Sequence, residues 1–121
     1  SPLLAPARSC QTCHRYAEKE VLARAEAIQD RTKALMLRAE QATVGLIEAL
    51  ADATKGGATD ESLQTARTLH RQAQWRLDFV AAENSMGFHA PQESARILAE
   101  AIDLAQRGRI ELLKHAEKAK Q

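Results

Sequence analysis

The chain has 121 residues and a mass of 13.3 kDa, which suits one domain, and 45% of its residues are hydrophobic. Its 17 basic and 16 acidic residues give a net charge of +1, which is not the basic field that nucleic-acid binding uses, so we expect no nucleic-acid partner. No apolar run reaches the length of about 18 residues that a membrane-spanning helix requires, so we expect no membrane span.

The first segment, residues 1–15, contains both cysteines of the chain, in the pentapeptide Cys10-Gln11-Thr12-Cys13-His14. A C-x-x-C-H motif is typical of c-type haem attachment. Two thiols three residues apart on the first turn of a helix can each add to a porphyrin vinyl group, while the adjacent imidazole coordinates the iron. The motif therefore predicts haem c bound covalently by Cys10 and Cys13, with His14 as an axial iron ligand.

Other uses of this motif are a chance match, a local disulfide or half of a zinc site. A structural zinc ion takes four ligands, and the sequence offers no second C-x-x-C or H-x3-5-H pair to complete the set. A thioredoxin-like redox pair occurs in a βαβ context, which the helical pattern of this chain does not provide. Haem is the use that the motif favours.

The start of the chain lacks the charged region and the long apolar region of a signal peptide. Haem is attached to C-x-x-C-H motifs outside the cytoplasm. Either the signal peptide has been removed or the chain is a piece of something longer, and the two observations together favour a piece of an exported protein.

The stretch from about Tyr16 to Lys55 is predicted to be one long helix. At 1.5 Å per residue it is roughly 60 Å long, whereas a compact chain of this size has a radius of gyration of about 14 Å. Part of its apolar face should therefore lack a cover within the chain, and we expect a homodimer through the long helices that buries Leu35, Leu46 and Leu50. The apolar positions step alternately by four and three residues, at Val21, Ala25, Ile28, Thr32, Leu35, Ala39, Ala42 and Leu46.

The second helix is predicted to start after Gly56-Gly57, capped by Thr59 or Asp60. The same stepping continues in it at Leu63, Ala66, His70, Ala73, Leu77 and Val80. Trp75 and Phe79, four residues apart, are interpreted as a helix-packing pair.

The pattern breaks at residues 84–91, and Pro91 suits the first turn of a third helix that weakens at Gly108. The predicted fold class is all-α: a long antiparallel helical hairpin plus a third C-terminal helix. Residues 16–121 would form a helical dimerisation domain.

Three further histidines are candidates for a sixth iron ligand. His89 precedes the third helix between Phe88 and Pro91, where it can ligate iron or only hydrogen-bond to backbone. His70 lies on the apolar stripe of the second helix, where a buried histidine with one partner is the simpler interpretation. His115, among charged residues, is expected to be solvated.

The chain resembles the pentahaem, ammonia-forming cytochrome c nitrite reductases. The motif at 10–14 is similar to the last haem motif of that family, and the long helices are similar to its C-terminal dimerisation region. Segment 82–93, AENSMGFHAPQE, resembles a loop near the end of those proteins and is the more specific match. The 75-residue separation between His14 and His89, 89 minus 14, also fits the family.

The resemblance implies a role for each of these residues. Cys10 and Cys13 would tether the fifth haem and His14 would be its proximal ligand, while His89 would be the distal ligand of a neighbouring haem, the fourth. His70 would then have no iron to bind, since the distal ligand of the fifth haem would lie upstream of this chain.

The resemblance also implies a parent protein. That parent would be a periplasmic enzyme that reduces nitrite to ammonium with six electrons and receives them from a redox donor protein. Its catalytic haem, three further haem motifs and calcium site would lie in an N-terminal multihaem part that this chain lacks, so we expect no activity from the chain itself. Its share would be an electron-relay haem and the dimer contact.

Two alternatives stay open from the sequence. The chain can be a haem-free helical dimerisation module, because a reducing cytoplasm would leave both cysteines as free thiols. It can also be a small stand-alone c-type cytochrome in which His14 and His70 bind one iron.

Overall fold

The structure is a computed structural model that describes residues 2–118, apart from the side chain of residue 118. A 3-10 turn, Pro2–Leu4, precedes four helices: α1 (Pro6–Ser9), α2 (Glu18–Lys55), α3 (Asp60–Ala82) and α4 (Pro91–Lys118). The described part of the chain contains no β-strand. The predicted all-α fold class is therefore confirmed.

The helix boundaries follow local signals in the sequence. At the end of α2 the Gly56 N–H donates to the Asp52 carbonyl at 2.9 Å, and Gly57 takes a φ of +84°, which glycine adopts without strain. Thr59 Oγ1 accepts a hydrogen bond of 3.3 Å from the Ser62 N–H at the start of α3. Pro91 opens α4, as predicted.

The core lies where α4 packs along both α2 and α3, and these two contacts are more extensive than the contact between α2 and α3. One cluster of buried residues consists of Ala39, Leu77, Val80, Ile97, Leu98 and Ala101. A second cluster consists of Ala42, Leu46, Leu69, Ala73, Leu104 and Ala105. Each cluster draws on all three long helices, and its alanines let the helix axes approach closely.

The apolar stripe of α2 is covered within the chain, because α4 and α3 both pack on it. Leu46 is 0% exposed, while Leu35 and Leu50 pack against the two buried clusters. The expectation that Leu46 lies in a dimer interface is therefore wrong, whereas Leu35 and Leu50 are only partly buried and their place in such an interface stays a prediction. The reason is that α4 covers more of the length of α2 than the helix pattern in the sequence indicates.

A second apolar face of α2 has no cover in the described chain. Leu37, Val44 and Ile47 are 49%, 50% and 42% exposed. Their spacing of seven and three residues aligns them on one side of the helix, away from the core stripe. This face is referred to below as the outer face of α2.

α4 runs without interruption through Gly108, where weakening was predicted. A Cβ atom on this glycine would lie 2.7 Å from Leu46 Cδ2, so the glycine leaves room for the Leu46 side chain between α2 and α4. Its role is packing, and the helix continues because neighbouring turns are held on both sides by the core.

Trp75 and Phe79 stack on each other, with ring centroids 5.5 Å apart and planes at 22°. They are 63% and 53% exposed on α3, so they lie outside the buried core between the helices. The interpretation of this pair as a helix-packing contact is wrong within the chain, because the core face of α3 lies on its other side.

Candidate functional site

The C-x-x-C-H motif follows a helix and does not open one, which corrects the prediction that it lies on a first helical turn. α1 ends at Ser9, and residues 10–13 continue it as turns. The Thr12 hydroxyl donates to the Ser9 carbonyl at 2.7 Å, and the Cys13 N–H donates to Cys10 O at 3.2 Å. The His14 N–H also donates to Cys10 O, at 2.9 Å, so the motif forms two overlapping turns that close on the Cys10 carbonyl.

A cavity of about 500 Å³ lies beside this turn, and Cys10, Cys13 and His14 all line it. Both cysteines are free thiols, so no local disulfide forms between them. Val21 and Ile28 of α2 supply apolar lining. An apolar space faced by two unpaired thiols and an imidazole fits a covalently attached haem.

Aromatic and charged side chains flank the cavity on the α2 side. The rings of His14 and Tyr16 stack with centroids 6.5 Å apart, and the Arg24 guanidinium lies 4.8 Å from the Tyr16 ring centroid. Arg24 also pairs with Glu20 at 2.9 Å, one helical turn earlier. These contacts tie the exposed end of the motif to the first turns of α2.

The loop between α3 and α4 is organised by the carboxylate of Glu83. Its Oε1 accepts a hydrogen bond of 2.9 Å from the Ser85 N–H, and its Oε2 accepts from the Ser85 hydroxyl at 2.7 Å and the Gly87 N–H at 3.0 Å. The Ser85 hydroxyl bond, followed by the Gly87 bond, holds the pKa of Glu83 below its ordinary value of 4.5. The loop therefore closes around an ionised carboxylate.

The same loop is fixed against α2. The Gln29 side-chain amide donates to the Ser85 carbonyl at 2.9 Å. Gly87 has a φ of +75° and lies so close to Thr32 that a Cβ atom would overlap its side chain. Met86, with a φ of +52°, shares this left-handed conformation, so the turn holds a defined and partly strained shape.

His89 leaves this loop towards solvent, with a side chain that is 76% exposed. The ring Nδ1 of His89 lies 3.7 Å from Glu83 Oε1, and the backbone N–H of His89 donates to the Ser85 hydroxyl at 3.0 Å. The neighbouring Phe88 lines the cavity of the motif, whereas His89 does not. The structure thus brings Cys10, Cys13 and His14 together on one cavity, and His89 is not among the residues that line it.

The other histidines are not part of this arrangement. His70 lies twelve residues before Ala82, the last residue of α3, which places it about 18 Å along the helix axis from that end. It does not line the cavity of the motif. Its Nε2 is buried with no hydrogen-bond partner among the described residues. The stand-alone cytochrome with His14 and His70 on one iron therefore receives no support from the geometry. His115 is exposed, as predicted.

Several contributors to the site are absent from the sequence-based candidates, notably Tyr16, Arg24, Phe88 and Glu83. The first three belong to no motif in the sequence, and tertiary packing brings Arg24 and Phe88 to the cavity. Glu83 carries a usable signal, because an acidic residue followed by Ser85 and Gly87 directly after a helix is typical of a side chain that closes a turn.

The described residues contain no cluster of three or more acidic, histidine or cysteine side chains that could hold a metal ion. Among the same residues, no helix is both long enough and apolar enough to cross a membrane.

An all-helical chain whose C-x-x-C-H motif faces an apolar cavity has the features of a c-type cytochrome. Comparison with known families makes this assignment specific. The sequence profile described as Cytochrome c552 matches residues 1–121, and the chain belongs to that family.

Individual relatives agree with this assignment. The chain is 40% identical over 115 residues to the cytochrome c-552 of Aliarcobacter butzleri, and 37% identical over 114 residues to that of Bacteroides thetaiotaomicron. Each match covers 94% of this chain but 23% of the relative. The cytochrome c-552 of Porphyromonas gingivalis, 37% identical, is covered to 22%. The chain thus spans less than a quarter of the length of these relatives.

Proposed function

We propose that the chain is the C-terminal part of an exported multihaem nitrite reductase, in which it carries an electron-relay haem c. The observation that supports this most is the apolar cavity that Cys10, Cys13 and His14 share. In the longer protein, nitrite would be reduced to ammonium at a haem outside this chain. The 121 residues alone are expected to be inactive towards nitrite.

Each motif residue has a defined task in this proposal. The Cys10 and Cys13 thiols would add across the two vinyl groups of the porphyrin, with sulfur and hydrogen both incorporated and nothing released. His14 would be an axial ligand, and Val21 and Ile28 would exclude water from the ring. When bound, the haem would supply reversible one-electron exchange between Fe(III) and Fe(II).

His89 would bind the iron of a second haem that belongs to the rest of the protein. Its exposure and its absence from the lining of the motif cavity suit a ligand that serves a group outside this chain. The remaining multihaem part would also hold the calcium ion and receive electrons from a redox donor protein. Because haem is attached to such motifs outside the cytoplasm, we place the protein in the periplasm.

The outer face of α2 supports a homodimer. Leu37, Val44 and Ile47 are exposed at heptad spacing on a helix of 38 residues, and a second copy would bury them. The proposed domain division follows: residues 1–15 attach haem, and 16–121 provide the helical scaffold and the dimer contact.

Haem attachment is tested by producing the chain with the haem-attachment machinery in an oxidising compartment. We expect intact mass to rise by one haem and a Soret band to appear, because both thiols are free and face the cavity. The Cys10→Ala/Cys13→Ala variant should show neither covalent mass nor the band.

A His89→Gln variant is the control, since it should keep the covalent haem of the motif. A wild-type chain that gains no covalent mass under these conditions would contradict the proposal. It would favour the haem-free dimerisation module instead.

A further inference from the structure

The carboxylate of Glu83 is held in one orientation by three donors. Oε2 accepts from the Ser85 hydroxyl at 2.7 Å and the Gly87 N–H at 3.0 Å, which together leave it little freedom to rotate. Oε1 accepts only the Ser85 N–H, at 2.9 Å, and therefore retains capacity for a second donor. The free lone pair of the group is thus on Oε1.

The imidazole of His89 is the ring closest to that oxygen. Nδ1 lies 3.7 Å from Oε1, and the backbone of His89 is fixed by the bond of 3.0 Å from its N–H to the Ser85 hydroxyl. A distance of 3.7 Å is longer than a hydrogen bond, but the ring is exposed and a small side-chain rotation would bring Nδ1 within hydrogen-bond distance of Oε1.

We infer that Glu83 is a positioning residue that accepts a hydrogen bond from His89 Nδ1–H and so leaves Nε2 as the bare nitrogen, directed outward. Neutral histidine in water favours the opposite tautomer, with the proton on Nε2. A carboxylate behind Nδ1 reverses this preference and fixes the plane of the ring.

The use of that nitrogen rests on the proposed function, in which His89 ligates a haem iron. An iron ligand must offer a lone pair, and Glu83 would prepare one on the side of the ring that faces away from the chain. The carboxylate would also increase electron donation from the imidazole to the iron.

Nitrogen NMR of the 121-residue chain tests the tautomer without haem. With histidine labelled with ¹⁵N and the pH about two units above the ordinary histidine pKa of about 6.5, long-range proton–nitrogen correlations distinguish the two forms. The Nδ1–H form of His89 is expected to dominate in the wild type. The His89→Gln variant identifies its signals by their loss.

Glu83→Gln is the informative variant. Its single carbonyl oxygen is expected to take the place of Oε2, because this keeps two loop donors and loses only the Ser85 N–H bond to Oε1; the amide NH₂ then lies beside Nδ1. That NH₂ donates to a bare Nδ1, so the Nε2–H form should become dominant. Glu93→Gln is the matched control, because it removes an equal charge from a residue that pairs with Arg96 and not with His89.

An unchanged tautomer ratio in Glu83→Gln would overturn the inference, whether or not haem binds. The proposed function is tested separately in the haem-loaded full-length protein. There, loss of one six-coordinate low-spin haem signal is expected in His89→Gln, and a higher reduction potential of the same haem is expected in Glu83→Gln. If the haem spectra of His89→Gln are the same as those of the wild type, His89 is not an iron ligand, and the tautomer result is unaffected.

Discussion

Gly57 and Gly87 both have a positive φ, +84° and +75°, but their surroundings differ. A Cβ atom on Gly57 would meet nothing within 4 Å, whereas on Gly87 it would overlap Thr32 Oγ1 and lie 2.9 Å from Thr32 Cγ2. Thr32 is 6% exposed and donates to the Ile28 carbonyl at 3.1 Å, so it has little room to move. The two glycines therefore separate the cost of backbone conformation from that of a steric overlap.

We predict that Gly57→Ala lowers the free energy of unfolding by about 1–2 kcal/mol, from the left-handed backbone alone. Gly87→Ala should cost about 1–3 kcal/mol more, because overpacking adds to the same backbone term. Urea denaturation of both variants measures the difference. Equal losses of unfolding free energy in the two variants would show that the Thr32 side chain moves aside without cost, which would contradict the prediction.

At the scale of the elements, α3 and α4 are joined across their exposed side by a chain of charges. Arg76 of α3 donates through Nε to Glu100 of α4 at 2.9 Å, and Arg96 pairs with both Glu100 and Glu93. The hydrogen bond from Arg76, followed by the charge of Arg96, lowers the pKa of Glu100 below its ordinary value of 4.5.

This shift predicts how stability depends on pH. A lowered pKa means that the contribution of Glu100 is complete above pH 4.5 and is lost as the pH falls through the lower pKa of the folded state. Glu100→Gln should therefore lose less stability than the wild type on acidification below pH 4.5. Thermal unfolding across that range measures the effect, with the exposed Glu26→Gln on α2 as the charge-matched control. Parallel curves for wild type and Glu100→Gln would contradict it.

The helices could be predicted from the sequence because their signals are local. Gly56-Gly57, Thr59 and Pro91 act on their own turns, and the stepping of apolar residues marks the core face of α2 and α3. The conformation of the motif could not be predicted, because the turns after Ser9 are held by local hydrogen bonds to the Ser9 and Cys10 carbonyls. Apolar periodicity does not reveal such bonds.

The candidate site was partly predictable for a different reason. Cys10, Cys13 and His14 are adjacent in sequence, and the structure places them on one cavity. The partners Arg24 and Phe88 come from distant segments, so only tertiary packing identifies them. The same limit explains the dimer interface: periodicity finds apolar faces, but it does not say that α4 covers the one containing Leu46.

At the scale of the whole molecule, the outer face of α2 predicts self-association. Val44→Asp should convert the proposed dimer to a monomer, because a carboxylate in an apolar seam has no partner and costs several kcal/mol to bury. Sedimentation velocity measures the change in mass. Ala99→Asp, at an exposed position of α4, is the matched control and should leave the dimer intact. A wild-type chain that sediments as a monomer would refute the proposal.

The first turns of α2 contact both halves of the site. Val21 and Ile28 line the cavity of the motif, while Gln29 and Thr32 hold the loop that presents His89. These contacts fall within about 17 Å of a single helix, at 1.5 Å per residue from residue 21 to 32. In the proposed protein, this stretch of α2 would hold the two haem sites at a fixed separation. The distance that an electron crosses between the two haems would then depend on the spacing of these contacts along α2.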